Sequence, residues 1–193
     1  RNGISPEDGR LKCCTALKTE ALKKIIKKYK FDAIVVAIRR DEHGLRAMER
    51  YMSPRDKNFR WRIYQKESIK TGDSGYVSLQ DVEMSGWMLF ETDFGPEADH
   101  IRVHPILHWT ELDVWNYIKE RGIPVNPLYF SKNGERYRSL GCIPCTNPIK
   151  SNATTIDEII EEIKNSKGGE REGRAQDKED EYAMERLRAL GYM

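Results

Sequence analysis

The sequence predicts an α/β protein, a parallel sheet with helices on both faces. Two features carry this reading. From Thr15 to Tyr29 the apolar residues Leu17, Ala21, Leu22, Ile25, Ile26 and Tyr29 recur at helical spacing, with lysines on the other face. Directly after comes Ala33-Ile34-Val35-Val36-Ala37-Ile38, a continuous apolar run rich in β-branched residues. A helix followed by a strand buried on both sides is the signature of a parallel sheet covered by helices. The run stops at Arg39-Arg40-Asp41-Glu42. Charges there lie just past the carboxyl end of a strand, where open α/β sheets bind ligands.

The other elements follow in order. Arg1 to Arg10 is polar, with Gly and Pro, and reads as loop. Residues 39–62 carry eight basic against four acidic side chains. Residues 63–99, with Gly72, Gly75, Gly86 and Gly95 among mixed aromatics, read as a loop-rich insertion. Residues 101–107 alternate like a strand, and Thr110 with Asp113 three positions later forms a capping-box start. Leu112, Val114, Trp115, Tyr117 and Ile118 give that helix its buried face, and Gly122 with Pro124 ends it. Thr155 and Glu158 cap a further helix through Lys164, stopped by Gly168-Gly169, and a last helix spans about 178–190. Residues 157–185 hold eleven acidic and five basic side chains, a charge pattern read as solvated helix faces.

Composition excludes several classes. The chain has 193 residues, 33% of them charged, with a formal net charge of +2. Its mean hydropathy is −0.73. No run reaches the ~18 apolar residues that argue for a membrane helix. No basic n-region followed by an apolar stretch opens the sequence, so a cytoplasmic location is expected. A net charge so near zero argues against a dedicated nucleic-acid binder. His43, His100, His104 and His108 lack helical metal-ligand spacing and are read as structural.

All four cysteines fall into two pairs, Cys13-Cys14 and Cys142-Ile143-Pro144-Cys145. Without a secretory signal, paired cysteines point to a metal or cluster more than to disulfides. Cys-x-x-Cys brings two thiolates to one centre, and a second pair completes four ligands. Adjacent cysteines are atypical for zinc and favour iron–sulfur, with a zinc staple and inert buried thiols as the alternatives.

These pairs also carry a resemblance. Cys13-Cys14-Thr15-Ala16-Leu17-Lys18, Trp109-Thr110-Glu111 with Val114-Trp115, Asn126-Pro127-Leu128-Tyr129 and Gly141-Cys142-Ile143-Pro144-Cys145-Thr146 follow one another in one order. Together they resemble the adenylyl-sulfate/phosphoadenylyl-sulfate reductase family of the PP-loop superfamily, which includes the small subunit of sulfate adenylyltransferase. The cysteine set is similar to that of reductases holding a [4Fe–4S] cluster, with Cys13, Cys14, Cys142 and Cys145 as ligands. Ala37–Glu42 with Arg46, Glu49 and Arg50, and the ending Glu170–Ala175 through Met184-Glu185 to Tyr192, look more like the adenylyltransferase subunit. No cysteine follows Cys145, whereas the reductases carry a nucleophilic cysteine in the tail.

The resemblance implies an adenine-nucleotide-hydrolase-like fold. Residues 1–150 would be the later part of a nucleotide-binding domain and 151–193 a C-terminal helical arm. The family's Ser-Gly-Gly-rich phosphate loop has no counterpart here. In the family it lies upstream of the double cysteine, so Arg1 is expected to begin beyond it and the chain alone to hydrolyse no ATP. Lys18, Arg171 and Arg174 are assigned to the phosphosulfate or phosphate end by resemblance, while Arg39 and Arg40 stand at the strand end, placed to face the nucleotide. The ligands implied are ATP with Mg²⁺ and sulfate, or adenylyl sulfate, with a GTP-binding large subunit or a second copy as partner. The activity implied is adenylyl transfer from ATP to sulfate. The alternatives are an iron–sulfur reductase of adenylyl or phosphoadenylyl sulfate, an iron–sulfur sulfur transferase, and a non-enzymatic cluster-bearing module.

Overall fold

The computed structural model describes residues 3–42, 46, 49–60, 96, 98–171, 173 and 174. The segment read as an insertion at 63–99, apart from Pro96, Ala98 and Asp99, and the helix read at 178–190 lie outside the described residues.

The chain enters through a 3-10 turn, Pro6–Asp8, within the stretch read as loop. Ser5 caps it reciprocally: its hydroxyl accepts from Glu7 N–H and its own N–H donates to Asp8 Oδ2 at 2.8 Å. A helical run follows in three parts: α1 (Arg10–Cys14), a π-helical turn (Thr15–Thr19) and α2 (Glu20–Tyr29). The π turn is the departure from the regular helix expected here. Such turns insert one residue into the spiral and re-aim the side chains around them. Lys30, at φ +50, closes α2 in the left-handed region, its N–H donating to the Ile26 carbonyl at 2.8 Å.

The α/β class expected from the sequence is what forms. β1 (Ala33–Val35) runs parallel to β3 (His100–Val103), and β2 (Met52–Arg55) lies antiparallel on the other side of β3. The sheet is therefore mixed, with β2 added to its parallel pair. An antiparallel edge strand on a parallel sheet is a common arrangement, and Pro54 suits an edge because it has no N–H to donate. β1 is less buried than its apolar run predicts: Val35 is 72% exposed. Among the described strands β1 pairs only with β3.

The pleat sorts the sheet into two unlike faces. Val35, Ile101 and Val103 share one; Ser53, Arg55, His100 and Arg102 share the other and are all buried. The polar face is stitched together. Ser53 Oγ donates to Glu49 Oε1 at 2.6 Å, Arg55 Nη1 donates to Ser53 Oγ at 2.6 Å, and His104 Nδ1 donates to the Arg50 carbonyl at 2.6 Å.

The second half of the chain packs two helices around an apolar centre. α3 (Glu111–Arg121) begins at the Thr110/Asp113 capping box and ends at Gly122, whose φ of +59 is the left-handed cap glycine favours. α4 (Ile156–Asn165) begins at the Thr155/Glu158 box, also as read, and ends at Ser166, before Gly168. Trp115 of α3 meets Ile159 and Ile160 of α4 and Ala153, with Tyr129 edge-on to the indole at 5.4 Å. Between the helices, β4 (Glu135–Arg136) pairs antiparallel with β5 (Ile149–Lys150), and the Cys142–Cys145 loop rises from that pair. Among the described residues no helix is long and apolar enough to cross a membrane.

Candidate functional site

The π turn and the Cys-x-x-Cys loop, far apart in sequence, come together. Lys18 Nζ lies 3.8 Å from Cys142 Sγ. Cys14, on the same helical run as Lys18, is buried, as is Cys145; Cys13 and Cys142 are part-exposed. Cys142 caps a one-turn 3-10 helix, and its carbonyl accepts from both Cys145 N–H at 3.0 Å and Thr146 Oγ at 3.1 Å. Ile143, between the two thiols, is almost fully exposed.

Four thiols are the soft donor set that zinc or an iron–sulfur centre takes, and the Lys18 contact brings the helix and the loop of the two pairs to one locality. That donor set fits such a group. The coordination sphere expected from the sequence, with all four sulfurs in direct reach of one point, is not closed. Among the described residues no three His, Cys, Asp or Glu side chains stand at metal-holding geometry.

At the end of β1 the two arginines behave differently. Arg39 is buried, and its Nε donates to Asp41 Oδ1 at 3.1 Å while Nη2 pairs with the Glu170 carboxylate. Arg40 gives Nε and Nη2 to the Glu49 carbonyl at 3.3 and 2.8 Å, so its fork braces the backbone beneath the polar layer. Arg46, on the next turn, pairs with Glu42.

Asp41 extends the Arg39 network by accepting the Glu111 N–H at 2.7 Å. Glu111 in turn takes a two-pronged contact from Arg138, Nε at 3.0 Å and Nη2 at 2.7 Å, and Arg138 Nη1 donates to Ser166 Oγ at 2.9 Å. A buried carboxylate is tolerable only when paired and hydrogen-bonded in this way. Burial raises the Glu170 carboxyl pKa, Arg39 opposes that, and the negative charges of Glu111 and Asp41 add to it. The Tyr129 phenol is raised by burial and then by Glu170, which places it beside the same cluster.

Of the tail arginines, Arg174 holds the loop: Nε donates to Ser139 Oγ at 2.8 Å and Nη2 to the Leu140 carbonyl. Arg171 lies one turn earlier, its carbonyl accepting Arg174 N–H at 2.8 Å. Lys18, Cys142 and Arg174 thus surround one loop, while Arg39, Glu170 and Glu111 form the network at the strand end.

Sequence reasoning singled out Lys18, Arg39 and the cysteines and gave no role to Glu170, Glu111, Arg138 or Tyr129. Glu111, Tyr129 and Glu170 were visible only as letters of the resemblance. Their charge pairing depends on chain crossings that spacing does not reveal.

Residues 4–148 match the phosphoadenosine phosphosulfate reductase domain. The chain belongs to this family. Among its relatives, sulfate adenylyltransferase subunit 2 of Sulfurimonas denitrificans is 36% identical over 205 residues, covering 91% of this chain and 62% of the relative. The Sulfurovum protein of that name is 36% identical, covering 98% of this chain and 67% of the relative. That of Geotalea uraniireducens is 35% identical, covering 100% and 68%. The chain thus spans about two thirds of the length of these relatives.

Proposed function

We propose that this chain is part of a cytoplasmic sulfate-assimilation enzyme that forms adenylyl sulfate from ATP and sulfate. In that reaction a sulfate oxygen attacks the α-phosphorus, the bond to the β-phosphate oxygen breaks, and pyrophosphate leaves. The observation that carries the reading is the buried Arg39 at the carboxyl end of β1, in a chain of this family matched across its length by adenylyltransferase subunits. Arg39 is held there by Asp41 and Glu170, and in this reading a phosphate or sulfate oxygen takes over one of those charge-assisted bonds when the nucleotide binds. Lys18 and Arg171 supply further positive charge from the helix and the tail, and Mg²⁺, when bound with ATP, would neutralise the departing pyrophosphate.

In this reading residues 1–150 form the later part of the nucleotide-binding domain and 151–193 a C-terminal helical arm. A larger GTP-binding subunit is the partner, as the relatives' description as a subunit suggests. Cys13, Cys14, Cys142 and Cys145 would hold a [4Fe–4S] cluster. Such a centre would cross-link helix and loop and set the charge beside the anion. The chain's own contribution is the placement of the thiols and of Lys18.

The test is a product assay on the enzyme that carries this chain together with the upstream phosphate loop, co-expressed with the large subunit. Supplied with adenylyl sulfate and pyrophosphate, it is expected to return ATP and sulfate. Supplied with adenylyl sulfate and a dithiol reductant, it is expected to release no sulfite. Sulfite release would move the assignment to the reductases. Iron and acid-labile sulfide in anaerobic preparations, lost in Cys142→Ser, are the expected signs of the cluster; a preparation containing zinc alone would replace it.

A further inference from the structure

The segment around Arg174 grips the Cys-x-x-Cys loop at both ends. On the entry side, the guanidinium binds Ser139 Oγ at 2.8 Å and the Leu140 carbonyl, and it lies across Gly141. A Cβ at Gly141 would overlap Nη1, stand 2.8 Å from Cζ, and come within 2.7 Å of Thr146 Oγ1. Only a residue without a side chain lets the guanidinium settle there. On the exit side, Arg174 pairs through its backbone with Thr146 in an antiparallel bridge, and Asn147 N–H donates to the Gly173 carbonyl at 3.0 Å. A Cβ at Gly173 would stand 2.6 Å from the Asn147 oxygen, so a second close approach also requires glycine. Cys142 and Cys145 lie between these two grips.

We infer that Arg174 is a positioning residue of the Cys-x-x-Cys loop: its side chain sets where the Cys142 and Cys145 sulfurs stand relative to Lys18. The inference gives a role to Arg174, which the resemblance places at the phosphosulfate end, and it rests on the loop geometry, whichever reaction the site performs. A guanidinium has five donors in a fixed fork. Here the fork is directed at a hydroxyl and a carbonyl of the loop, and three consecutive residues, Ser139 to Gly141, are shaped to receive it. Charge-assisted bonds to part-buried groups are the stronger kind, so their loss should open this loop locally and leave the rest of the fold in place.

The test is competitive alkylation of the full chain with iodoacetamide in the presence of a chelator, read at each cysteine by mass spectrometry. Cys145 and Cys14 are both buried, so Cys14 serves as the control outside the loop. Arg174→Ala is expected to raise the Cys145 rate about tenfold or more with Cys14 unchanged, a factor equal to roughly 1.4 kcal/mol of local opening. Gly141→Ala should do the same by expelling the guanidinium, and Arg174→Lys should not restore protection, because one ammonium cannot reproduce the fork. Adenylyl sulfate affinity, measured by calorimetry on the same variants, should change less than threefold in Arg174→Lys. If Arg174→Ala proves unfolded by circular dichroism, Ser139→Ala is read instead, with a selective rise at Cys145 expected. Unchanged Cys145 labelling, an equal rise at Cys14, or a loss of anion affinity without a change in labelling would overturn the inference.

Discussion

Acid should weaken this fold through two buried histidines. His100 and His104 project from one face of the β3 segment into the buried polar layer. Burial lowers the pKa of both. For His100, Arg102 and Arg55 lower it further against the pull of Asp99. For His104, the bond to the Arg50 carbonyl and the charge of Glu49 oppose the burial, and Arg55 and Arg102 reinforce it. Both rings are therefore neutral in the folded chain at a pH where the unfolded chain has begun to protonate them. Above the unfolded value of 6.5 neither state gains a proton and nothing is lost. As the pH falls below it the unfolded state is favoured, until the folded pKa is passed. At pH 5.5 a ring that stayed wholly neutral in the folded chain would cost about 1.4 kcal/mol, the upper limit for each histidine and a sizeable part of an ordinary domain's stability. Urea unfolding followed by tryptophan fluorescence at pH 7.5, 6.5 and 5.5 measures the slope. The double variant His100→Gln/His104→Gln should flatten it by up to about 2 kcal/mol between pH 6.5 and 5.5. Equal slopes in the two proteins, or a wild type that gains stability over this interval, would refute the argument.

Other expectations concern the frame that holds the site. Arg138→Ala strips the buried Glu111 carboxylate of its two-pronged partner and should cost about 3–5 kcal/mol in urea unfolding, whereas the volume-matched pair Glu111→Gln/Arg138→Met should cost much less. Ile159→Ala leaves a cavity between α3 and α4 against Trp115 and should lower stability by about 2–5 kcal/mol by the same assay. Thr110→Ala removes half of a capping box and should cost about 1 kcal/mol, seen as faster amide exchange in the first turn of α3.

The elements that were legible in the sequence are those whose signals are local. The Thr110/Asp113 and Thr155/Glu158 boxes fix two helix starts, and Gly122 fixes one end, because capping is a contact between residues three or four positions apart. The helix-then-strand order was enough for the α/β class and for placing Arg39 at a strand end. The resemblance assigned the two cysteine pairs to one centre, but nothing in the spacing of either segment requires the meeting of Lys18 with Cys142. Three things were not legible. The antiparallel entry of β2 depends on how Arg39–Tyr51 turns back. The polar sheet face depends on which side of an alternating strand is covered, and alternation alone leads one to expect the apolar side inward; here His100, Arg102 and His104 are the buried set. Glu170, the distant partner of Arg39, and Ser139, the partner of Arg174, lie more than thirty positions away, so charge counting could not show that these arginines are engaged within the chain.

The central claim is that this site takes a phosphosulfate nucleotide through Arg39 and Lys18. Isothermal titration of the chain with adenylyl sulfate and with AMP tests it most directly. The account predicts tighter binding of adenylyl sulfate than of AMP, and a loss of about tenfold or more for adenylyl sulfate in Arg39→Ala and in Lys18→Ala, with AMP affinity changed far less. Equal affinity for the two nucleotides, or variants that bind adenylyl sulfate as the parent does, would contradict it.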